Sequence, residues 1–221
     1  MPSVATSTVE NYVKQILIEQ QQAPSDPVSV GRVASGLGVA PGTATSMMKS
    51  LAEAGLVEYV PRKGVRLSEA GERLALNVLR RHRLIELFLV KVLELDWSEI
   101  HEEAEKLEHV ISERVLERID VLLGHPRVDP HGDPIPTANG VYNDQELETL
   151  RTCPVNTDLH IARITDQESG FLRFAQKNGL RPGTRLVVEE NADVAGTIRI
   201  LFADGKKLTL GAAAAEKIQV E

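Results

Sequence analysis

An α+β fold is predicted by three observations. Apolar residues recur at helical spacing through most of the first 123 residues, a Pro-, Gly- and Asp-rich stretch interrupts them at 124–146, and short alternating runs fill the remainder. At 221 residues the chain is long enough for two or three small domains.

The elements follow in order. Val9, Tyr12, Val13, Ile16 and Leu17 keep helical spacing, so a first helix is expected at about 7–21, ending before "QQQAPSDP". "VSVGRVASGLGV" gives a short helix over about 28–36, closed by Gly36 and Gly38. "APGTATSMMKSLAEAGLV" places Ala44, Met47, Met48, Leu51 and Leu56 on one stripe, with Gly55 as its stop. Two helices joined by a short glycine-containing turn make a helix-turn-helix. "LVEYVPRKGVRLSEAG" then reads as strand, basic turn, strand and a Ser-capped helix start, which lifts Arg62 and Lys63 to a hairpin tip. That is a winged helix, and the wing suits contact with phosphate or a minor groove.

Residues 69–123 are almost entirely helical in pattern, with a break at "ELDW" and a further helical stretch reading "SEIHEEAEKLEHVISERVLERIDVLL". Their apolar content exceeds what such helices can bury against a small head, which predicts a dimer interface and matches the two-fold symmetry of paired DNA half-sites. Beyond the 124–146 linker lie "LHIARITD", "TRLVVEEN", "TIRILFADGKKLTL" with an Asp-Gly turn, and "EKIQVE", interrupted by one helix, "GFLRFAQKNGL". Five short strands in such a span suggest a small SH3-like β-barrel. The expected architecture is a winged helix-turn-helix DNA-binding domain at 1–72, a helical dimerisation and metal-binding domain at 73–142 and the barrel at 148–221.

The net charge of −7 argues at first against a nucleic-acid partner. Its distribution reverses that reading: residues 1–70 hold six basic and six acidic side chains, so the whole acidic excess lies beyond the DNA-binding head. No run of about 18 apolar residues and no basic-then-apolar leader is present, which predicts a soluble cytoplasmic protein without membrane contact. The single cysteine, Cys153, excludes an internal disulfide framework and a cysteine-based zinc ribbon. Any metal must therefore be held by His, Asp, Glu or amide oxygens.

Such a donor set is present in "HEEAEKLEH". On a helical wheel His101, Glu105, Glu108 and His109 share an arc of about 100°, while Ile100, Ala104, Leu107, Val110 and Ile111 occupy a separate apolar arc. His82 and Glu86 are spaced i, i+4 on the preceding helix. The plain alternative is a salt-bridged solvent face. Against it, the arc contains no Lys or Arg, and Lys106 points elsewhere, so the carboxylates repel until a cation joins them. Oxygen and imidazole donors without thiolate suit manganese or ferrous iron.

The winged helix, "RRHRLIELFL", "HEEAEKLEHVIS", the linker "HPRVDPHGDPIP" and the small C-terminal barrel together resemble the diphtheria toxin repressor family of metal-dependent transcription regulators, over essentially the whole chain. The resemblance implies a FeoA-like final domain and two metal sites per subunit. The ancillary site would use His82, Glu86 and His101, completed in the barrel by Asp166, with Glu168 and Ser169 beside it. The primary site would use Glu105, Glu108 and His109 with Asn11 on the first helix. Iron-responsive relatives carry cysteine where this chain has Glu105, so the glutamate resembles the manganese branch. Two positions depart from the pattern: Asn11 stands where relatives have Met or Asp, and Lys14 stands where the manganese branch has a further glutamate.

The expected function is that of a homodimeric, manganese-activated repressor of metal-uptake genes that binds double-stranded operator DNA, with iron as the alternative metal and no organic cofactor. Pro41, Gly42, Thr43, Thr45 and Ser46 open the recognition helix, and Lys49, Arg62 and Lys63 anchor phosphates. A metal-dependent hydrolase is the rival class. It would need an open coordination position, a general base and a cleft, none of which the sequence identifies.

Overall fold

The computed structural model describes residues 6–192 and 194–221. They form two compact units. The first comprises residues up to 82 together with 106–112 and 136–142; the second comprises 83–105, 113–135 and 143–221.

In the first unit α1 (Ser7–Gln22) starts where Thr6 Oγ1 accepts the Val9 N–H, and α2 (Val30–Gly36) starts where Ser29 Oγ accepts that of Arg32. α3 (Pro41–Glu53) has proline in its first turn and no side-chain cap. β1 (Val57–Val60) and β2 (Gly64–Leu67) pair antiparallel. Ile16, Val33, Ala44, Met48 and Val65 are fully enclosed in the shared core, and burying each of the larger ones contributes about 1.5–3 kcal/mol. Two glycines are required by close approach. A Cβ on Gly64 would stand 2.6 Å from the Val28 carbonyl oxygen, and one on Gly71, near the start of α4 (Glu69–Lys91), would stand 1.9 Å from that of Leu56.

The helical stretch expected over 98–123 is divided. α5 (His101–Leu107) stops early, residues 108–110 form a turn, and α6 (Glu113–Leu122) begins afresh. Within the first unit Glu108 is drawn fully inward by Lys14, His82 and Arg81, which donates to its backbone carbonyl. These partners outweigh helix propensity. The expected apolar arc is correspondingly inverted at its end: Leu107 and Val110 are 40% and 76% exposed while Glu108 is 0% exposed.

In the second unit six strands pair antiparallel in the order β3-β8-β4-β5-β6-β7, where β3 is Glu148–Thr149, β4 Asp158–Ile164, β5 Arg185–Ala192, β6 Thr197–Phe202, β7 Lys207–Gly211 and β8 Ile218–Val220. α7 (Ser169–Asn178) and α8 (Ala212–Ala215) lie between strands in the chain. The Asp204-Gly205 turn joins β6 to β7, with Gly205 at φ +84°. The expected five strands become six, because two-residue β3 is too short to leave a pattern. Register shifts in β4 and β5 curve the sheet, yet among the described residues β3 and β7 do not pair, so the pairings form an open sheet rather than a closed barrel. Ile161, Ile164, Leu172, Leu186 and Ile198 fill its core together with Trp97. Among the described residues no helix is long and apolar enough to cross a membrane.

Candidate metal centres and nucleic-acid interface

The helix-turn-helix head sorts its own cations. Of the six basic residues in the first 70, Arg32 pairs with Glu19, Arg66 donates to the carbonyls of Pro24 and Ser25, and Lys14 is buried against Glu108. Among the described residues Lys49, Arg62 and Lys63 form no ion pair, and all three are exposed. Arg62 sits at φ +67° at the tip of the β1–β2 turn, which holds its side chain and that of Lys63 in solvent. On α3, Thr45 Oγ1 donates to the Pro41 carbonyl at 2.8 Å and Ser46 Oγ to that of Gly42 at 3.1 Å. Their hydroxyl protons are spent on the helix. Pro41, Gly42 and Thr43 are exposed.

In the first unit two imidazoles and two carboxylates interlock. Glu108 Oε1 accepts from Lys14 Nζ at 2.7 Å and Oε2 from His82 Nδ1 at 2.6 Å. Glu10 Oε1 accepts from Arg81 at 2.9 Å and Oε2 from His109 Nδ1 at 2.6 Å. Burial pushes the Glu108 carboxyl up, but the His82 hydrogen bond and charge, followed by those of Lys14, outweigh it and hold the group below its ordinary value. The missing cations of the wheel therefore exist. They come from α1 and α4, not from the Glu108 segment itself. Because carboxylates only accept, His109 carries a proton on Nδ1, and its Nε2 stands 3.3 Å from Glu108 Oε1. That Nε2 and the Asn11 Oδ1 are buried without a hydrogen bond. Both are of the atom type that can ligate a cation.

The second unit contains the remaining predicted donors. Glu86, 1% exposed, faces His101 Nδ1 with Oε1 at 3.4 Å, and His101 Nε2 lies 3.8 Å from Glu105 Oε1. His82 and Glu86 lie one turn apart along α4. Asp166 is engaged elsewhere: Oδ1 accepts the Glu168 N–H and Oδ2 accepts from Lys217. Burial raises its carboxyl, and these two partners more than reverse the effect. Among the described residues it joins no group of three metal-ligating side chains. Ser169 Oγ donates to the Ser98 carbonyl. Cys153 lies buried in the sheet core, its thiol pushed up by burial, so no soft donor serves any of these groups.

Sequence reasoning passed over Glu10, Arg81, Asp129 and His131. Glu10 neighbours the predicted Asn11, so the α1 position was legible while the side chain that meets His109 was not. Asp129 and His131 lie inside the Pro- and Gly-rich linker, where composition signals only a turn.

Comparison with known proteins places these groups in context. Residues 5–65 match the model of the iron-dependent repressor N-terminal DNA-binding domain, 68–137 the iron-dependent repressor metal-binding and dimerisation domain, and 148–221 the FeoA domain. The diphtheria toxin repressor of Corynebacterium efficiens is 31% identical over 228 residues, covering 90% of this chain and 96% of that protein. The iron-dependent repressor IdeR of Mycobacterium tuberculosis is 29% identical over 226 residues, covering 97% and 96%. A solved manganese-dependent transcriptional repressor in complex with manganese superposes with a TM-score of 0.86 at 40% identity, covering 96% of this chain and 98% of that one. The chain belongs to the diphtheria toxin repressor family of metal-dependent transcriptional repressors.

Proposed function

We propose that this chain is a manganese-activated, homodimeric repressor of metal-uptake genes that binds double-stranded operator DNA in the cytoplasm and holds two metal ions per subunit. The observation that carries the metal assignment is the donor chemistry. In the first unit Asn11, His82, Glu108 and His109, and in the second Glu86, His101 and Glu105, offer only oxygen and imidazole nitrogen. Such a set suits manganese more than the later transition metals that thiolate favours. The buried, unbonded Asn11 Oδ1 and His109 Nε2 are of the type a hard divalent cation takes. Asp166 joins a site only by releasing Lys217 or the Glu168 N–H. A relative solved with manganese supports the same reading. The iron-dependent relatives keep ferrous iron as the alternative reading.

The bound cation supplies positive charge and a multidentate tie. The chain's own residues do the rest. Glu10 and Glu108 fix the tautomers of His109 and His82, so each ring presents Nε2 outward from its carboxylate. Lys49, Arg62 and Lys63 anchor phosphates, and Thr43, Thr45 and Ser46 read bases through methyl contact, water and DNA shape. On α6 the exposed Val115, Val121 and Leu122 supply apolar surface for a second copy.

The test is a duplex selected from a random pool with Mn2+, then titrated anaerobically against Mn2+, Fe2+ and Zn2+. Manganese should drive binding at the lowest concentration, and Glu105→Cys should move the ranking toward iron, cobalt and zinc. Binding that persists after chelation rejects metal activation; an unchanged ranking in the cysteine variant rejects Glu105 as the selector.

A further inference from the structure

A cleft of about 260 Å3 opens within the second unit, between the last turn of α4, the 128–130 stretch and the corner at Arg181 and Pro182. Leu87, Val90, Val128 and Pro182 wall it with hydrocarbon, and Trp97 lines it as well. These walls are fixed by the fold. Asp129 Oδ1 accepts the N–H groups of His131 at 2.8 Å and Asp133 at 3.0 Å, and the His131 carbonyl accepts the Ile164 N–H at 2.8 Å. Gly132, at φ +90°, passes so close to β4 that a Cβ would fall 2.0 Å from the Ala162 carbonyl oxygen. On the opposite side the Gly183 N–H donates to the Ile161 carbonyl at 2.7 Å and that of Thr184 to the Arg181 carbonyl at 3.0 Å, which holds the corner in place.

The polar groups of the cleft are mostly donors without partners. Trp97 is 3% exposed, yet its Nε1–H finds no acceptor among the described residues. A buried donor left in that state is costly until something accepts from it. Lys91 and Arg181 are exposed and, among the described residues, form no ion pair. Arg181 Cζ lies over the Trp97 ring, 5.1 Å from its centroid, so a guanidinium and an indole N–H are presented together. The acids nearby are engaged. Asp96 Oδ1 accepts from the N–H and hydroxyl of Ser98, and Oδ2 from Gln176. Asp129, whose Oδ1 holds the loop, has Arg83 Nε 3.7 Å from Oδ2, so its charge is met inside the chain. The charge lent to the cleft is therefore positive.

We propose that this cleft binds a small organic monocarboxylate with an apolar body. Its carboxylate accepts from Arg181 and from Trp97 Nε1–H, Lys91 adds charge at the rim, and its hydrocarbon lies against Leu87, Val90, Val128 and Pro182. An apolar hollow with a few placed polar groups is how small-ligand sites are built. At about 30 Å3 per water the space holds about nine waters, which is room for a chain of about six carbons with its carboxylate. An inorganic anion would leave the hydrocarbon walls wet, and a neutral molecule would leave the two cations unmatched. None of the lining residues is among the metal ligands proposed above, so the outcome does not depend on that reading.

Because Trp97 is the chain's single tryptophan, isotope-labelled full-length protein gives a single indole N–H resonance, and it belongs to this cleft. The protein, stripped of metal and dialysed free of chelator, is titrated with hexanoate, hexanamide and acetate while that resonance and the heat of binding are followed. Hexanoate should move the indole resonance downfield, saturably, as a single equivalent per subunit. Hexanamide lacks the charge and acetate lacks the body, so each should bind about tenfold more weakly or worse. Arg181→Gln should weaken hexanoate about tenfold and Lys91→Gln by less. Both side chains are exposed, so their replacement leaves the core untouched and the unfolding midpoint should stay at the wild-type value. An indole resonance unmoved by hexanoate, equal affinity for hexanoate and hexanamide or acetate, or wild-type hexanoate affinity in Arg181→Gln overturns the site.

Discussion

Two buried carboxylates, Glu108 in the first unit and Glu86 in the second, are equally enclosed yet differently balanced. Glu108 has an ammonium at 2.7 Å and an imidazole at 2.6 Å, both supplied by the chain. Around Glu86 the imidazoles of His101 and His131 stand at 3.4 and 3.9 Å, and the guanidinium of Arg83 keeps 3.7 Å from the neighbouring Asp129. A buried charge is tolerated only when paired closely. The Glu108 cluster meets this with an internal cation, Lys14, at hydrogen-bond distance, whereas the imidazoles of His101 and His131 stand farther from Glu86.

The comparison breaks most visibly if Lys14 is removed. Lys14→Met removes the ammonium from buried Glu108 and should cost the metal-free protein about 3 kcal/mol, measured by denaturant unfolding, with Mn2+ restoring part of the loss. Its pH dependence has a fixed sign. The folded Glu108 carboxyl lies below its ordinary value, so its stabilising contribution is complete above that value and is lost as pH falls through the depressed one. Lys14→Met should weaken this acid dependence. A variant as stable as wild type across that range would show that Lys14 does not balance Glu108.

Smaller but more local is Gly132→Ala. Left-handed strain alone costs about 1–3 kcal/mol, and the contact with the Ala162 carbonyl adds to it. The variant should displace the 129–133 loop and lower stability, while Gly42→Ala in α3, where a Cβ meets nothing within 4 Å, should not lower it. Equal stability of the two alanine variants would contradict the close packing of the 129–133 loop on β4.

These contrasts also mark what the sequence could and could not convey. α1, α3 and the β1–β2 wing were legible because their signals are local: apolar spacing, a proline start, and a basic turn closed by Gly64. The break after Leu107 was not, because the force that ends the helix comes from Lys14, 94 residues away. A helical wheel shows only neighbours on its own helix, so it placed Val110 on a core stripe and left Glu108 without cations. Spacing singles out His101, Glu105 and Glu86, whereas Asp129 and His131, which the fold brings beside Glu86, lie in a linker whose prolines and glycines dominate its composition.

The smallest effect is expected at the wing. Arg62→Ala should lower the salt slope of DNA binding by about 1 and weaken affinity uniformly across sequences, with Mn2+ content per subunit unchanged. A wing variant with wild-type affinity and salt slope would take the wing out of the DNA interface.

The central claim is that metal and DNA bind to one shared state of the protein, which makes their coupling reciprocal. It is tested most directly by measuring Mn2+ affinity calorimetrically with and without the selected duplex, and duplex affinity with and without Mn2+, under one buffer and one pH. The account predicts that each ligand tightens the other by the same factor, and that His109→Ala reduces both factors together while the dimer persists. Manganese affinity that is indifferent to DNA, alongside unaltered manganese binding by His109→Ala, would contradict it.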